Sequence, residues 1–203
     1  MRQVEVTVFV DFVCPYCYIG AERVRRLENE FGIEVKWKSF ELHPEAPNGG
    51  IPPSMYYENN PGLKSISKNA RVLAREAALT LGTHVVYSNS RLALELGVWV
   101  EEQGKGPDYR DALFDFYFHR LQDIGDEEVL LAIAESIQVS SEDAQRCMDD
   151  RTIKSTVDAQ IFEARQLGIG GVPTYIIGKE YVSGAQPYGL IREIYQRATA
   201  GKQ

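Results

Sequence analysis

Two cysteines separated by two residues, Cys14 and Cys17, are the side chains in this sequence best suited to chemistry. They stand in the motif Cys14-Pro15-Tyr16-Cys17, directly after a strand-like run of β-branched residues, Val4 to Val10. A helix beginning here would present unpaired N–H groups and a partial positive charge to Cys14, which favours its thiolate. Pro15 suits a first helical turn because its missing N–H is not needed there. We therefore predict that Cys14 attacks disulfides and that Cys17, one turn deeper, resolves the mixed disulfide.

Other interpretations of this cysteine pair fit the sequence less well. A structural zinc site needs four ligands, and the remaining cysteine, Cys147, and the three histidines are scattered singly along the chain. A static disulfide is unusual in a reducing compartment, and a chance pair would not coincide with a strand end and a helix start. We expect disulfide exchange and no metal. Cys147 is interpreted as a buried structural thiol, with a role as a third exchanging thiol as the alternative.

Three further positions are candidates for supporting roles. Asp11, three residues before the pair, is a candidate proton acceptor for Cys17, or else a residue that orients the loop or caps the helix. His43 could influence the thiols only if its Pro-rich loop folds back over them. The aromatic pair Tyr56-Tyr57 either packs in a core or lines a substrate groove.

The pattern of elements around the pair is β–α–β. Apolar residues at helical spacing predict a helix up to Phe31, which Gly32 ends, and alternating residues predict a second strand over Ile33–Phe40. A β–α–β unit favours parallel pairing of its strands. The following stretch, His43–Pro61, is rich in Pro, Gly and Asn and is predicted to be a loop.

The middle of the chain is predicted to be helical and its end to return to strands. Helices are expected over 63–81, 89–103, 109–122, 127–138 and, as one long helix, 141–167, with Asp126 and Ser140 as N-caps. A hairpin over 174–183 and a last helix over 187–198 follow. The predicted fold class is α/β: one mixed sheet, formed by residues 1–60 and 160–203, with an all-helical insertion over 61–159.

Composition and charge exclude several function classes. The 203 residues are 44% hydrophobic and 25% charged, as in an ordinary globular protein, and the formal net charge of −7 argues against a nucleic-acid surface. No run of apolar residues is long enough to span a membrane. The start of the chain lacks the features of a secretory signal, so a cytoplasmic location is expected.

A second motif, Gly171-Val172-Pro173-Thr174, opens the third predicted strand. By itself it indicates an ordinary trans proline at a strand start. Together with Cys-Pro-Tyr-Cys, however, it resembles the DsbA branch of the thioredoxin superfamily, and FrnE-like members in particular. The resemblance covers nearly the whole chain and is carried by residues 14–20, 40–44, 117–118, 123–126 and 171–174.

The resemblance implies a thioredoxin-like mixed sheet with the helical insertion as a subdomain. It also implies a cis Val172–Pro173 bond packed against the cysteines and a backbone there that pairs with an extended substrate. Pro15, Tyr16, Val172 and Pro173 are then the substrate-binding residues. Substrates would be protein or small-molecule disulfides, with no bound cofactor and with glutathione as a redox partner. Some FrnE-like proteins have a second cysteine pair near the C-terminus, which this chain lacks.

Two other functions fit the same resemblance. One is a glutathione-dependent isomerase or transferase similar to 2-hydroxychromene-2-carboxylate isomerase and kappa-class glutathione transferases, which typically have Ser at the position of Cys14. The other is a non-catalytic module that holds peptides, for which a Cys14→Ser variant would keep all activity. The cysteines at both positions favour the redox function.

Overall fold

A mixed four-stranded sheet forms the centre of the computed structural model, which describes residues 4–59, 63–83 and 86–200. The inner strand β1 (Val6–Val10) pairs in parallel with β2 (Val35–Ser39) on one side. On its other side it pairs antiparallel with β3 (Thr174–Ile177), which forms a hairpin with the edge strand β4 (Glu180–Ser183). The strand order is therefore β2-β1-β3-β4, and the predicted parallel β–α–β unit and the hairpin are both present.

Alternation along β1 places its side chains in two cores. Val6, Val8 and Val10 belong to the larger core, together with residues of the first helix, α1 (Pro15–Phe31). Phe9 points to the opposite face, where it packs in a smaller cluster with Ala164. Because both faces are covered, all five residues of β1 are buried, which agrees with its position inside the sheet.

Helices cover the sheet and fill the chain between β2 and β3. After α1 come α2 (Pro53–Asn59), α3 (Leu63–Glu76), α4 (Arg91–Glu102), α5 (Gly106–Phe118), α6 (Glu127–Ser136), α7 (Ser141–Asp150), α8 (Lys154–Gln166) and, after β4, α9 (Tyr188–Ala200). Gly32 ends α1 in the left-handed conformation, at a φ of 61°. The side chains of Asp126 and Ser140 accept hydrogen bonds from the N–H groups of Glu128 and Asp143, as their predicted N-cap positions require.

Two predicted elements were wrong. The stretch predicted as a loop contains α2, which begins at Pro53, because a proline that breaks a helix interior is well suited to a first turn. The long helix predicted over 141–167 is two helices, separated at Arg151, whose φ is 50°. A carboxylate from a distant helix, Glu95, accepts two hydrogen bonds from the Arg151 guanidinium, each of 2.7 Å, and this tertiary contact accompanies the break.

The helix α8 connects the helical region to the sheet. Lys38 on β2 forms an ion pair of 2.6 Å with Glu163, and the backbone N–H of Ser39 donates to the side chain of Gln160 at 2.7 Å. The boundary predicted at 159–160 thus lies within a helix that packs on the sheet edge. None of the helices in the described ranges is long and apolar enough to cross a membrane.

Candidate active site

Both cysteines of the motif lie where β1 gives way to α1. Cys14 is the N-cap residue of this helix, with an extended backbone (φ −84°, ψ 115°), and Pro15 occupies the first turn. The backbone N–H of Cys17 donates to the carbonyl oxygen of Cys14 at 3.0 Å, so the second cysteine lies inside the first turn. Cys14 is 4% exposed and Cys17 is fully buried, and both are free thiols. Cys14 is therefore the sulfur closer to the surface.

The second sequence motif meets the first at this helix start. The Cys14 thiol donates a hydrogen bond of 3.4 Å to the carbonyl oxygen of Val172, and the Val172–Pro173 peptide bond is cis. The proline ring lies beside Gly20 on α1, where an added Cβ would come within 3.1 Å of the ring Cγ. Two motifs 158 residues apart in sequence thus form one site.

Asp11 lies beneath the pair and is fully buried. Its carboxylate accepts hydrogen bonds from the backbone N–H groups of Leu42, at 2.7 Å, and Val13, at 3.3 Å. Burial raises the pKa of this carboxyl from 3.8 to about 6, against the opposing effect of these hydrogen bonds. Asp11 therefore holds the loop before the helix through these hydrogen bonds, and its carboxyl loses its proton at a higher pH than an exposed aspartate does.

The thiol of Cys17 is difficult to ionise in this buried position. Burial raises its pKa well above the usual value, and the hydrogen bond to Cys14 adds to this effect. Asp11 contributes a backbone hydrogen bond to Cys17, which lowers the pKa, and a carboxylate charge, which raises it. The charge of Asp11 thus opposes ionisation of the Cys17 thiol.

The loop that carries His43 does fold back towards this region. His43 shares a hydrogen bond of 2.8 Å with the Tyr56 hydroxyl and one of 3.1 Å with Glu45, and its charge acts on Asp11. The ring of Tyr56 stacks on that of Tyr87, with the centroids 3.8 Å apart. The side chain of Tyr57, the other half of the predicted aromatic pair, lies outside the described residues, as does His84.

A small cavity of about 70 Å³ adjoins the start of α1. Its lining is largely apolar and includes Val13, Pro15, Ala70 and Phe118. The charged group in it, the Arg71 guanidinium, donates to the carbonyl oxygens of Leu81 and Gly82, at 3.0 and 3.2 Å, and to Thr83 Oγ1 at 3.1 Å. The cavity therefore offers apolar contact beside Val13 and Pro15, the residues that flank Cys14 in the chain.

Tyr16 and Cys147 complete the set of predicted residues. Tyr16 lies half-buried in the first turn of α1, and burial, followed by the charge of Cys14, raises the pKa of its hydroxyl. Cys147 is buried on α7, and its sulfur accepts a 3.5 Å hydrogen bond from the Thr152 hydroxyl. This hydrogen bond thus joins Cys147 to a residue five positions later in the chain.

One residue of the site escaped the sequence analysis, namely Tyr175 on β3. It is fully buried, and its hydroxyl interacts electrostatically with Cys17 and Cys14. Its position two residues after Pro173, as the one aromatic residue of β3, is the signal in the sequence that points to it. The same holds for Gly20, three residues after Cys17 and on the same side of the helix.

Comparison with known proteins agrees with this geometry. The family model for the DSBA-like thioredoxin domain matches residues 5–196. A probable DsbA oxidoreductase from Streptomyces coelicolor is similar in structure, with a TM-score of 0.86 and 25% identity over 98% of this chain and 91% of that one. A 2-hydroxychromene-2-carboxylate isomerase has a TM-score of 0.81 and 17% identity over 97% of both chains. The cytosolic disulfide reductase DsbM from Pseudomonas aeruginosa, solved with GSH, has a TM-score of 0.69 and 14% identity over 98% of both.

Proposed function

The chain belongs to the family of DSBA-like thioredoxin domains, and we propose that it is a thiol–disulfide oxidoreductase with Cys14 as nucleophile and Cys17 as resolving thiol. The observation that carries the proposal is the position of the two sulfurs. Cys14 caps α1, where the helix N-terminus favours a thiolate, and Cys17 is fully buried one turn below it. This arrangement suits an attacking thiol just below the surface and a more deeply buried thiol behind it.

The reaction follows from these positions. The Cys14 thiolate attacks one sulfur of a substrate disulfide, that S–S bond breaks, and the other substrate sulfur leaves as a thiolate. Asp11 accepts the proton of Cys17, whose thiolate then attacks Cys14 in the mixed disulfide. A Cys14–Cys17 disulfide forms and the second substrate thiolate leaves, so that two electrons have passed from the pair to the substrate. The reverse sequence oxidises a dithiol.

The surroundings of Cys14 support extended substrates with apolar groups. Val172 offers backbone groups beside the sulfur, with which a substrate strand could pair in the β-addition mode. The cavity lined by Val13 and Pro15 has room for about one small aliphatic side chain. We propose protein disulfides as substrates, glutathione as the small-thiol redox partner, and no bound cofactor. The similarity to the isomerase is a similarity of fold. The experiment below therefore also tests isomerase activity as the alternative.

The test compares four proteins, the wild type and the Cys14→Ser, Cys17→Ser and Cys147→Ser variants, on a fluorogenic peptide disulfide with glutathione in the assay. Loss of exchange in Cys14→Ser, a trapped mixed disulfide in Cys17→Ser and wild-type rates in Cys147→Ser are expected. Full exchange, or full isomerase activity on a chromene carboxylate, in Cys14→Ser would overturn the proposal. Equilibration in glutathione buffers then gives the potential of the pair and hence the direction of electron flow.

A further inference from the structure

Among the residues that the structure describes, none forms a hydrogen bond with the buried hydroxyl of Tyr175. The residue is fully buried in β3, and its oxygen is inaccessible to solvent. Burying a hydroxyl without a partner destabilises a protein, so most such groups in folded proteins are paired. Phenylalanine would fill the same space without this cost. We therefore expect this hydroxyl to find a hydrogen-bond partner that becomes available only during the reaction.

The surroundings of this hydroxyl place it against the active-site helix. It lies so close to Gly20 that an added Cβ there would overlap it, and the Pro173 ring flanks the same point at 3.1 Å. Gly20 follows Cys17 by three residues, so both face the same side of α1. The glycine thus allows the phenol to approach the helix about one turn after Cys17.

Burial has the largest effect on the pKa of the Tyr175 hydroxyl. The charges of Cys17, Arg23 and Cys14 follow, in that order. The Arg23 guanidinium donates to the backbone carbonyl oxygen of Gln186 at 2.5 Å. Burial also raises the pKa of the Tyr175 hydroxyl, which therefore keeps its proton near neutral pH. It can donate a hydrogen bond there but cannot act as a base.

We propose that the Tyr175 hydroxyl donates a hydrogen bond to the sulfur of Cys17 while that sulfur is negatively charged, and so promotes resolution of the mixed disulfide. The inference rests on the proposed function. Asp11 takes the proton from Cys17, and the phenol stabilises the resulting thiolate as it attacks Cys14. The phenol keeps its own proton throughout, so the balance of atoms and electrons in the exchange is unchanged. It acts on resolution and leaves the first attack unaffected.

The experiment uses the aromatic disulfide DTNB, which separates the two steps, in a Cys147→Ser background. Attack by Cys14 releases one coloured thiolate, and attack by Cys17 on the resulting mixed disulfide releases the second. In Tyr175→Phe the first phase should keep its rate. The second should slow about tenfold, the loss typical of one hydrogen bond to a charged group, and its pH profile should shift to higher pH.

A matched control is Tyr109→Phe. Tyr109 is also fully buried, but its hydroxyl donates to the Ala93 carbonyl oxygen at 3.0 Å within the helical region. Its loss should lower the urea midpoint and leave both phases at wild-type rates. A second phase of wild-type rate and pH profile in Tyr175→Phe would overturn the inference while the proposed function stands. Absence of the first phase in the wild type would instead overturn the proposed function.

A second variant tests the inference if Tyr175→Phe does not fold. Incorporation of 3,5-difluorotyrosine at position 175 preserves the shape of the ring and makes its hydroxyl a stronger donor. The second phase should then become faster and the first should not change. An unchanged second phase in this variant would also contradict the inference.

Discussion

The Cys14 thiol donates a hydrogen bond to the carbonyl oxygen of Val172, at 3.4 Å, across 158 residues of sequence. This contact joins the start of α1 to the segment that enters β3. An acceptor at this position serves the thiol but not the thiolate, which has no proton to donate. Ionisation or reaction of Cys14 therefore releases the Val172 carbonyl, which becomes free to accept from a substrate N–H.

The two thiols of the pair should differ strongly in reactivity. Cys14 caps the helix, whereas Cys17 is fully buried and burial raises its pKa well above the usual value. Limiting iodoacetamide at neutral pH, followed by peptide mass spectrometry, should therefore label Cys14 first. Cys147, which is also buried, is the internal comparison. Labelling of Cys17 ahead of Cys14 would reverse the roles assigned to them.

Asp11 should make stability depend on pH between about 4 and 6. Burial raises its pKa from 3.8 to about 6, so in this range the folded state binds more protons than the unfolded state. The contribution of Asp11 to stability is greatest below the lower value and falls by about 3 kcal/mol as the pH rises through the higher one. The free energy of unfolding in urea is measured from pH 4 to 7.5 for the wild type and for Asp11→Asn. The difference between the two proteins isolates this trend. A difference that stays flat with pH would contradict it.

The same carboxylate should set the rate of resolution. At pH 7.5 Asp11 is mostly ionised and can accept the Cys17 proton, whereas Asn cannot. Asp11→Asn should slow the second phase of the DTNB reaction about 100-fold, the lower range for a general base, and leave the first phase nearly unchanged. The wild-type second phase should also rise through about pH 6, and this inflection should be missing in the variant. If the second phase has the same rate in the wild type and in Asp11→Asn, Asp11 orients the loop and does not act as a base.

The local part of the site could be predicted from sequence because its determinants are neighbours in the chain. The β-branched run before Cys14 makes a strand, Pro15 begins a helix, and Gly32 ends it at a φ of 61°. These preferences act within a few residues and need no tertiary contact. The parallel pairing of the first two strands then follows from the helix between them.

The rest of the fold and of the site depends on contacts between residues that are far apart in sequence. The break at Arg151 is accompanied by hydrogen bonds to Glu95, 56 residues earlier, and nothing in the local periodicity marks it. The place of Tyr175 beside Gly20 of α1 results from the packing of β3 on that helix, which a pattern of single residues does not specify. Burial of Asp11, and with it a pKa of about 6, likewise requires the fold.

Glu95 should be a major determinant of stability in the helical region. It is 2% exposed and pairs with Arg91 at 2.5 Å and with Arg151 at 2.7 Å. Glu95→Gln should destabilise the protein by about 3 kcal/mol, the lower end of the range for breaking a buried pair, because Arg151 remains partly hydrated. Glu180→Gln, which removes a more exposed ion pair with Arg197, should cost about 1 kcal/mol or less. Urea unfolding at pH 7 compares the two, and equal losses would contradict the expectation.

The Glu95 contribution should also disappear at low pH. Burial raises the pKa of this carboxyl, but hydrogen bonds from Arg151 and Arg91 outweigh burial and hold the pKa below its ordinary value of 4.5. A carboxylate of this kind stabilises the folded state above that value, and the stabilisation is lost as the pH falls through the lowered pKa. The stability difference between wild type and Glu95→Gln should therefore shrink as the pH is lowered below 4.5. A difference that grew with acidification would have the wrong sign.

Two glycine-to-alanine substitutions should have opposite effects. A Cβ at Gly20 would overlap the Tyr175 hydroxyl and crowd the Pro173 ring, whereas a Cβ at Gly189, near the start of α9, would meet nothing within 4 Å. Gly20→Ala should cost about 1–3 kcal/mol through overpacking and should slow the second DTNB phase, because it displaces the Tyr175 phenol. Gly189→Ala should be neutral or stabilise by up to about 1 kcal/mol through the higher helix propensity of alanine, with both phases unchanged. Thermal unfolding and stopped-flow absorbance measure these effects, and a Gly20→Ala protein as stable and as fast as wild type would contradict the close packing of β3 on α1.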